Sequence, residues 1–302
     1  MEKPSKEQIL ARISEIENLD LRNTSIDEIN ELLSLLFTGY KITTPLFEPG
    51  IELFRGIKYT EKPTNISYLT YPPKKFAKIN RASRENESVF YAATTRDIPF
   101  FELNVRPGDF LVISKWITTK KIFLNNVGYT EENFANLDSN RENQTWNNNQ
   151  NEKGIEEENT IIQNFLAKTF SQIITNSNTD LYKLTIAIAE KHFFSDMFHG
   201  LLYPTIPMKA NADNLAIKPG YIDDGGLEFL QVEFIEVTKQ YDFKYDINIL
   251  DWANSISSNG TIEWKGRLPQ WTINETNREL KIVEENGKWI AKDSNGNIVN
   301  PS

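Results

Sequence analysis

Arg81, Tyr91 and Glu102 fall within one stretch, NRASRENESVFYAATTRDIPFFELNV. Its centre, Val89-Phe90-Tyr91-Ala92-Ala93, is apolar, aromatic and β-branched, which predicts a buried strand. A guanidinium just before a core strand and a carboxylate just after it are costly unless each has a job. The FELNV run is itself mostly apolar, so Glu102 is expected in a partly dry environment. An arginine, an aromatic ring and a carboxylate at one sheet edge suit a substrate that bears phosphate and develops positive charge. Arginine can hold a pyrophosphate through bidentate, charge-assisted hydrogen bonds that lysine cannot match. A preorganised carboxylate lowers the barrier to a step that develops positive charge. Tyr91 offers a flat face and a hydroxyl. The same residues also admit structural roles. Arg81 and Glu102 could pair with each other, Arg55 could pair with Glu52, and Tyr91 could be core.

These side chains must be carried by particular elements. Residues 5–38 predict two helices. Ser5-Lys6-Glu7-Gln8 and Ser25-Ile26-Asp27-Glu28 both match the capping box, and Ile29, Leu32, Leu33 and Leu36 share one helical face. The pair is expected to pack on the main domain. Residues 46–126 are strand-rich, with LFEPGIELFRGI, SVFYAAT and DFLVISKWI set off by Pro and Gly. Residues 136–158 turn polar and predict a mobile surface loop, with Trp146 tucked against its own domain. A helix follows with Ile162, Phe165, Leu166, Phe170 and Ile173 on one stripe. LYKLTIAIAEKHF predicts a second helix, although its alternation also permits a strand. Residues 201–203 and 230–237 predict strands, and GIKYTEKP and KPGYIDDGG predict turns. After Lys239 the chain carries Trp252, Trp264, Trp271 and Trp289, and Asn286-Gly287 between KIVEE and KWIA marks a hairpin. The pattern predicts an α+β protein on a small mixed, mostly antiparallel sheet. It has a helical N-terminal extension (1–44), a main domain (45–239) and a β-rich C-terminal appendage (240–302).

Five pieces occur in order: Phe54-Arg55-Gly56, Asn80-Arg81-Ala82, Phe90-Tyr91-Ala92, Phe101-Glu102-Leu103 and Leu202-Tyr203-Pro204-Thr205. Together they resemble the RES domain family, named for an Arg, a Glu and a Ser, over residues 45–238. The resemblance implies a fold like that of the ADP-ribosyltransferase toxins. It implies NAD+ as substrate, cleaved between nicotinamide and ribose with phosphate or water as acceptor, and no prosthetic cofactor. Arg55 and Arg81 would contact the pyrophosphate, Tyr91 the nicotinamide and ribose, and Glu102 the oxocarbenium face. Thr205 would orient ribose or acceptor, and Asn214, in NADNLAI, would hold a loop at the pocket rim. The family's Glu opens the helix after the Tyr strand. The family has Ser where this chain has Thr205, which keeps the hydroxyl but adds a methyl and stiffens χ1. Compact members act as toxins beside a small DNA-binding antitoxin, so a cognate antitoxin is the implied protein partner. Two rivals stay open. One is an ADP-ribosyltransferase acting on a macromolecule; the other is a non-catalytic RES-like module that binds a nucleotide or a partner.

Composition narrows the field. The 302 residues carry a formal charge of −9, which argues against a general nucleic-acid binder. The absence of cysteine excludes disulfides, thiolate zinc sites and a thiol nucleophile, and suits a reducing cytoplasm. No run approaches the roughly 20 apolar residues that span a bilayer, and the N-terminus lacks a signal-peptide run. A soluble cytoplasmic protein is therefore expected. His192 and His199 are the only histidines, and both read as structural or surface. No GxGxxG or GxxxxGK loop supports a Rossmann or P-loop reading.

Overall fold

A computed structural model describes residues 3–41, 44–141, 157–193, 195–241 and 244–267, together with strands 270–274, 281–285 and 288–292. The chain is mixed α+β with mostly antiparallel strands, and it divides into two compact units.

The first unit comprises Met1–Pro49, Tyr71–Tyr91 and Thr119–Gly226. Helices α1 (Lys6–Glu17) and α2 (Ile26–Phe37) both begin with complete capping boxes, on Ser5 with Gln8 and on Ser25 with Glu28. Each box satisfies backbone N–H groups that a helix start leaves without partners. Ile9, Ile16, Ile29, Leu33 and Leu36 are buried in one core with the helices here numbered α5 (Glu157–Phe170) and α6 (Leu181–His192). The N-terminal helices thus contribute core, not only cover. In α6, residues 185–189 are all fully buried, which explains why its sequence lacks a clear helical period. Ile173 does not continue the α5 stripe; it lies past the helix end and is exposed.

Four strands of this unit run side by side: β1 (Leu46–Phe47), β5 (Ile122–Asn126), β6 (Gly200–Pro204) and β7 (Asp213–Ile217). The β5–β6 pair is parallel and the other two are antiparallel. A parallel neighbour needs a long crossover, which here carries α4 (Glu131–Asn136), α5 and α6. The expected polar loop lies between α4 and α5; its residues 142–156, Trp146 among them, lie outside the described residues. KPGYIDDGG is not only a turn, because it contains the short helix α7 (Pro219–Asp223). Similarly, GIKY continues strand β2 as far as Lys58.

The second unit comprises Gly50–Thr70, Ala92–Thr118 and Leu227–Ser302. Its strands β2 (Glu52–Lys58), β4 (Phe110–Thr118), β8 (Leu227–Tyr241), β9 (Lys244–Ala253) and β10 (Gln270–Asn274) are antiparallel neighbours in that order. Ala93, the last residue of β3 (Phe90–Ala93), pairs with Phe54 on β2. The expected boundary at residue 239 falls inside β8, which runs to Tyr241 and returns as β9. Tyr245, Ile247, Ile249 and Trp252 on β9 share one core with Phe54, Phe100 and Ile113. Strands β11 (Lys281–Glu285) and β12 (Lys288–Lys292) pair with Glu285 opposite Lys288, as a hairpin requires; Asn286-Gly287 itself lies outside the described residues. Among the described residues no helix is long and apolar enough to cross a membrane.

His192 closes α6 and is completely buried. Its Nδ1 lies 2.8 Å from the Ile188 carbonyl oxygen, and its ring meets Phe37 edge-on. Burial pushes its pKa down to about 4, against the weaker upward pull of the Ile188 carbonyl. Above the ordinary value of 6.5 the ring is neutral in both folded and unfolded chains and adds no pH dependence. Below it the unfolded chain binds a proton that the native chain refuses. Stability should therefore fall as pH drops from 6.5 towards 4, by up to ~3 kcal/mol from this residue. Urea midpoints at pH 7 and 4.5 should diverge less for His192→Leu than for wild type. Equal divergence in the two proteins would remove His192 as a source of acid sensitivity.

Candidate functional site

The turn ahead of β3 is short and polar, and its own backbone holds it closed. Asn80 N–H donates to Ser83 O at 3.0 Å, and Asn80 Oδ1 accepts from Arg81 N–H at 2.8 Å. Two groups of this turn grip Tyr91. Ala82 N–H donates to the Tyr91 hydroxyl oxygen at 3.0 Å, and Ser83 Oγ lies 3.0 Å from the same oxygen. Burial pushes the Tyr91 hydroxyl up to about 12, opposed by those two hydrogen bonds and by the Arg81 charge. Tyr91 is therefore a neutral phenol near pH 7, a ring face with a fixed dipole and not a base.

Arg81 has a partner that no sequence spacing announces. Its guanidinium donates to the Phe170 carbonyl and, at 3.2 Å, to that of Gln172, and it sits 5.8 Å from the Phe170 ring. Phe170 ends α5, where helix C-termini leave acceptors unsatisfied and favour cations, and Gln172 lies two residues beyond it. Two of the five N–H donors of an arginine are thus engaged in capping, which fixes the plane of the fork.

Phe170 links Arg81 to the β6–β7 end. Its ring meets Tyr203 edge-on at 5.3 Å, and Tyr203 is in register with Asn214. Thr205 follows directly and is wholly buried; Asn214 is nearly so. Thr205 N–H donates to Ala212 O at 2.9 Å, and Thr205 O accepts from Ala210 N–H at 2.8 Å. The loop between them turns through Lys209 and Ala210 at φ of 52° and 57°. Left-handed backbone at two non-glycine residues is costly, and those hydrogen bonds sustain it. Within the first unit a run of contacts thus leads from Tyr91 and Arg81 through Phe170 to Tyr203, beside the strand end that carries Thr205 and Asn214.

A buried triad at the same strand end was missed from sequence. Arg141 forms a bidentate pair with Asp213 at 2.8 Å and 2.8 Å, and Tyr129 hydroxyl donates to Asp213 Oδ1 at 2.7 Å. Burial, then the Asp213 charge, raises the Tyr129 hydroxyl well above its ordinary value. Gly128 beside it has φ of 99°, and a Cβ there would lie 2.7 Å from Pro204 Cδ. Only glycine meets both demands.

The second unit holds Arg55 and Glu102. Arg55 is half-buried on β2, in register with Ser114. Its neighbour Gly56 lies against helix α3 (Ile98–Glu102): a Cβ there would be 2.4 Å from Pro99 Cβ and 3.2 Å from Leu103 Cδ1. Phe54 packs on the same side, against Phe100 and Leu103. Strand alternation therefore points Arg55 to the face of β2 opposite α3. Glu52, considered as a partner for Arg55, is paired with Lys115 at 2.7 Å.

Glu102 departs from expectation twice. It is the last residue of α3 and does not open a helix, and it is exposed where a partly dry setting was expected. The apolar neighbours explain the difference. Phe100 and Val105 are fully buried and Phe101 and Leu103 pack on the same core, so the apolar side chains turn inward and leave Glu102 outward. Two charged neighbours are instead the buried ones. Asp97 has its carboxyl raised by burial, although Thr95 hydroxyl donates to it at 2.5 Å. Glu233 accepts from Arg96 at 2.6 Å and 2.9 Å and from Gln231 at 3.0 Å.

His199 is structural, as expected: its Nδ1 accepts from Phe123 N–H at 3.0 Å. Among the described residues no cluster of three His, Asp or Glu side chains is placed to hold a metal ion. No protein-family model and no curated protein sequence matches the chain.

The Gly56 contact yields a direct test. Gly56→Ala should destabilise the protein by ~1–3 kcal/mol, because the methyl forces Pro99 and α3 away from β2. A urea midpoint unchanged from wild type would show that α3 yields without strain.

Proposed function

We propose that the chain cleaves NAD+ between nicotinamide and ribose and passes ADP-ribose to phosphate or water, in the manner of the RES family it resembles. The observation that supports this most is the run of contacts in the first unit that links Tyr91 to the turn bearing Arg81, Arg81 to Phe170, and Phe170 to Tyr203, the register partner of Asn214. Arg81, with its fork already oriented by α5, holds the pyrophosphate. Tyr91 lays its ring against the nicotinamide. The C1′–N1 bond breaks with its electron pair going to the ring nitrogen, which neutralises the pyridinium and makes nicotinamide a good leaving group. The resemblance assigns to Glu102 the carboxylate that stabilises the positive charge left on ribose. An oxygen of phosphate or water then bonds to C1′, and water that attacks loses its proton to solvent. Thr205 has no exposed surface, so it supports the strand end that Asn214 shares and does not itself meet the substrate. A cognate antitoxin that covers the site belongs with this function.

One rival gains from the geometry. The engagement of Arg81 with α5 and the full burial of Thr205 favour a module that binds a nucleotide without turnover.

Purified protein given NAD+ without added metal should release nicotinamide, read by chromatography. Added phosphate should divert the product from ADP-ribose to ADP-ribose phosphate if phosphate is the acceptor. Glu102→Gln should keep the fold and lower kcat by about 10²–10³, the scale of losing one preorganised charge interaction. Thr205→Ser should match wild type, whereas Thr205→Val should lose activity despite its near-equal volume. Binding of NAD+ without nicotinamide release would leave the binding module standing and sink the enzyme.

A further inference from the structure

We propose that Arg84 is a positioning residue that locks the turn carrying Arg81, and that the N-terminal helices serve the site through it. The turnover arm of this proposal rests on the function proposed above.

The turn from Asn80 to Arg84 has no regular secondary structure beyond its own bridge, yet it carries three critical groups. These are the Arg81 guanidinium and the Ala82 N–H and Ser83 hydroxyl that grip Tyr91. Its own backbone closes it and Arg81 ties it to Phe170, and its far end is tied at Arg84. Arg84 Nε donates to Glu190 Oε1 at 2.5 Å and Arg84 Nη2 to Glu190 Oε2 at 2.9 Å. This is the bidentate fork that gives both strength and a defined plane. Arg84 Nη2 also donates to Asp27 Oδ1 at 2.5 Å, in the first turn of α2. Asn30, one helical turn further along α2, donates from Nδ2 to Glu190 Oε2 at 2.5 Å. The turn, α2 and α6 therefore meet on one guanidinium.

The strengths of the two arms differ. Asp27 is largely exposed, so its pair is screened by water and weak. Arg84 and Glu190 are both about three-quarters shielded, and Glu190 is held from two sides. Glu190 is thus the anchor and Asp27 a guide. The helices are independently held together: Lys183 donates to the Leu21 carbonyl at 2.5 Å and Lys191 to Ser34 Oγ at 2.8 Å. Loss of Arg84 should therefore leave α2 docked on α6 while loosening the far end of the turn. Arg84 aims Arg81 and Tyr91 without touching substrate.

Two measurements on Arg84→Met test this, with Glu190→Gln as the second variant should the first fail to fold. Amide hydrogen exchange at Ala82 should quicken at least ten-fold, while that at Ile113 in the second unit stays at the wild-type rate. The KM for NAD+ should rise about ten-fold or more with a smaller change in kcat, because Arg81 binds and does not react. Arg84→Lys should restore little, since an ammonium cannot reproduce the fork. Lys168→Ala, which removes the exposed pair with Glu17, should change neither readout. Unchanged Ala82 exchange in folded Arg84→Met would overturn the proposal. So would faster exchange with unchanged KM, since the turn would then be held for no purpose of the site. If wild type releases no nicotinamide, the proposed function fails by itself, and the exchange result alone decides whether Arg84 holds the turn.

Discussion

The last carbonyl of α5, that of Phe170, needs a donor, and Arg81 supplies it. Much of the first unit follows from that contact. A helix end with unsatisfied acceptors must find water, a side chain or a tighter turn. Here it finds a guanidinium from a turn roughly ninety residues earlier in the chain. The contact fixes that turn against Phe170, and Phe170 in turn packs on Tyr203 at the end of β6. The residue proposed to bind the pyrophosphate is thus also the residue that ties the turn before β3 to the end of α5. The two roles are compatible because the guanidinium is planar and carries more donors than the capping uses. Lysine could supply charge to the carbonyls but not orientation to a second ligand.

Close backbone approach is the second constraint, and it gives two glycines a purpose. Gly56 lets α3 sit directly on β2, and Gly128 lets the chain pass Pro204. In the first case the glycine beside Arg55 determines where the helix bearing Glu102 can rest. Two sequence pieces that look like separate signatures are therefore coupled by packing: FRG provides the floor on which FEL stands. A side chain at position 56 would move the helix before it touched any ligand.

Local signals were legible in the sequence, and long-range ones were not. Ser5 and Ser25 sit three residues from their box partners, so capping could be read directly, and the Ile29–Leu33–Leu36 face pointed to a packed helix. Asn286-Gly287 placed the β11–β12 hairpin for the same reason. The environment of Glu102 could not be read, because apolar neighbours say that a core is near but not which way the intervening side chain turns. In a five-residue helix that direction is set by what Phe100 and Val105 pack on, on strands over a hundred residues later. Arg81, Arg141 and Arg84 show the same limit. Their partners Phe170, Asp213 and Glu190 lie 89, 72 and 106 residues away. Each arginine looks locally like a surface charge, and only the fold reveals that it is half-buried and committed.

The exposure of Glu102 bears on how the proposed chemistry could work. A carboxylate in water stabilises a nearby cation weakly, since the interaction scales inversely with the local dielectric. An exposed glutamate becomes effective when a ligand displaces the surrounding water. A dinucleotide is large enough to do so, with flat rings at both ends and a pyrophosphate between them. On the proposed function the substrate itself therefore creates the dry environment that the protein does not provide in advance. Truncated ligands that carry the scissile bond but lack the adenosine half would leave Glu102 wet, and the loss should appear in kcat as well as in KM. Nicotinamide mononucleotide is such a ligand. Turnover of the mononucleotide at the rate of NAD+ would show that Glu102 does not depend on the remote half for its effect.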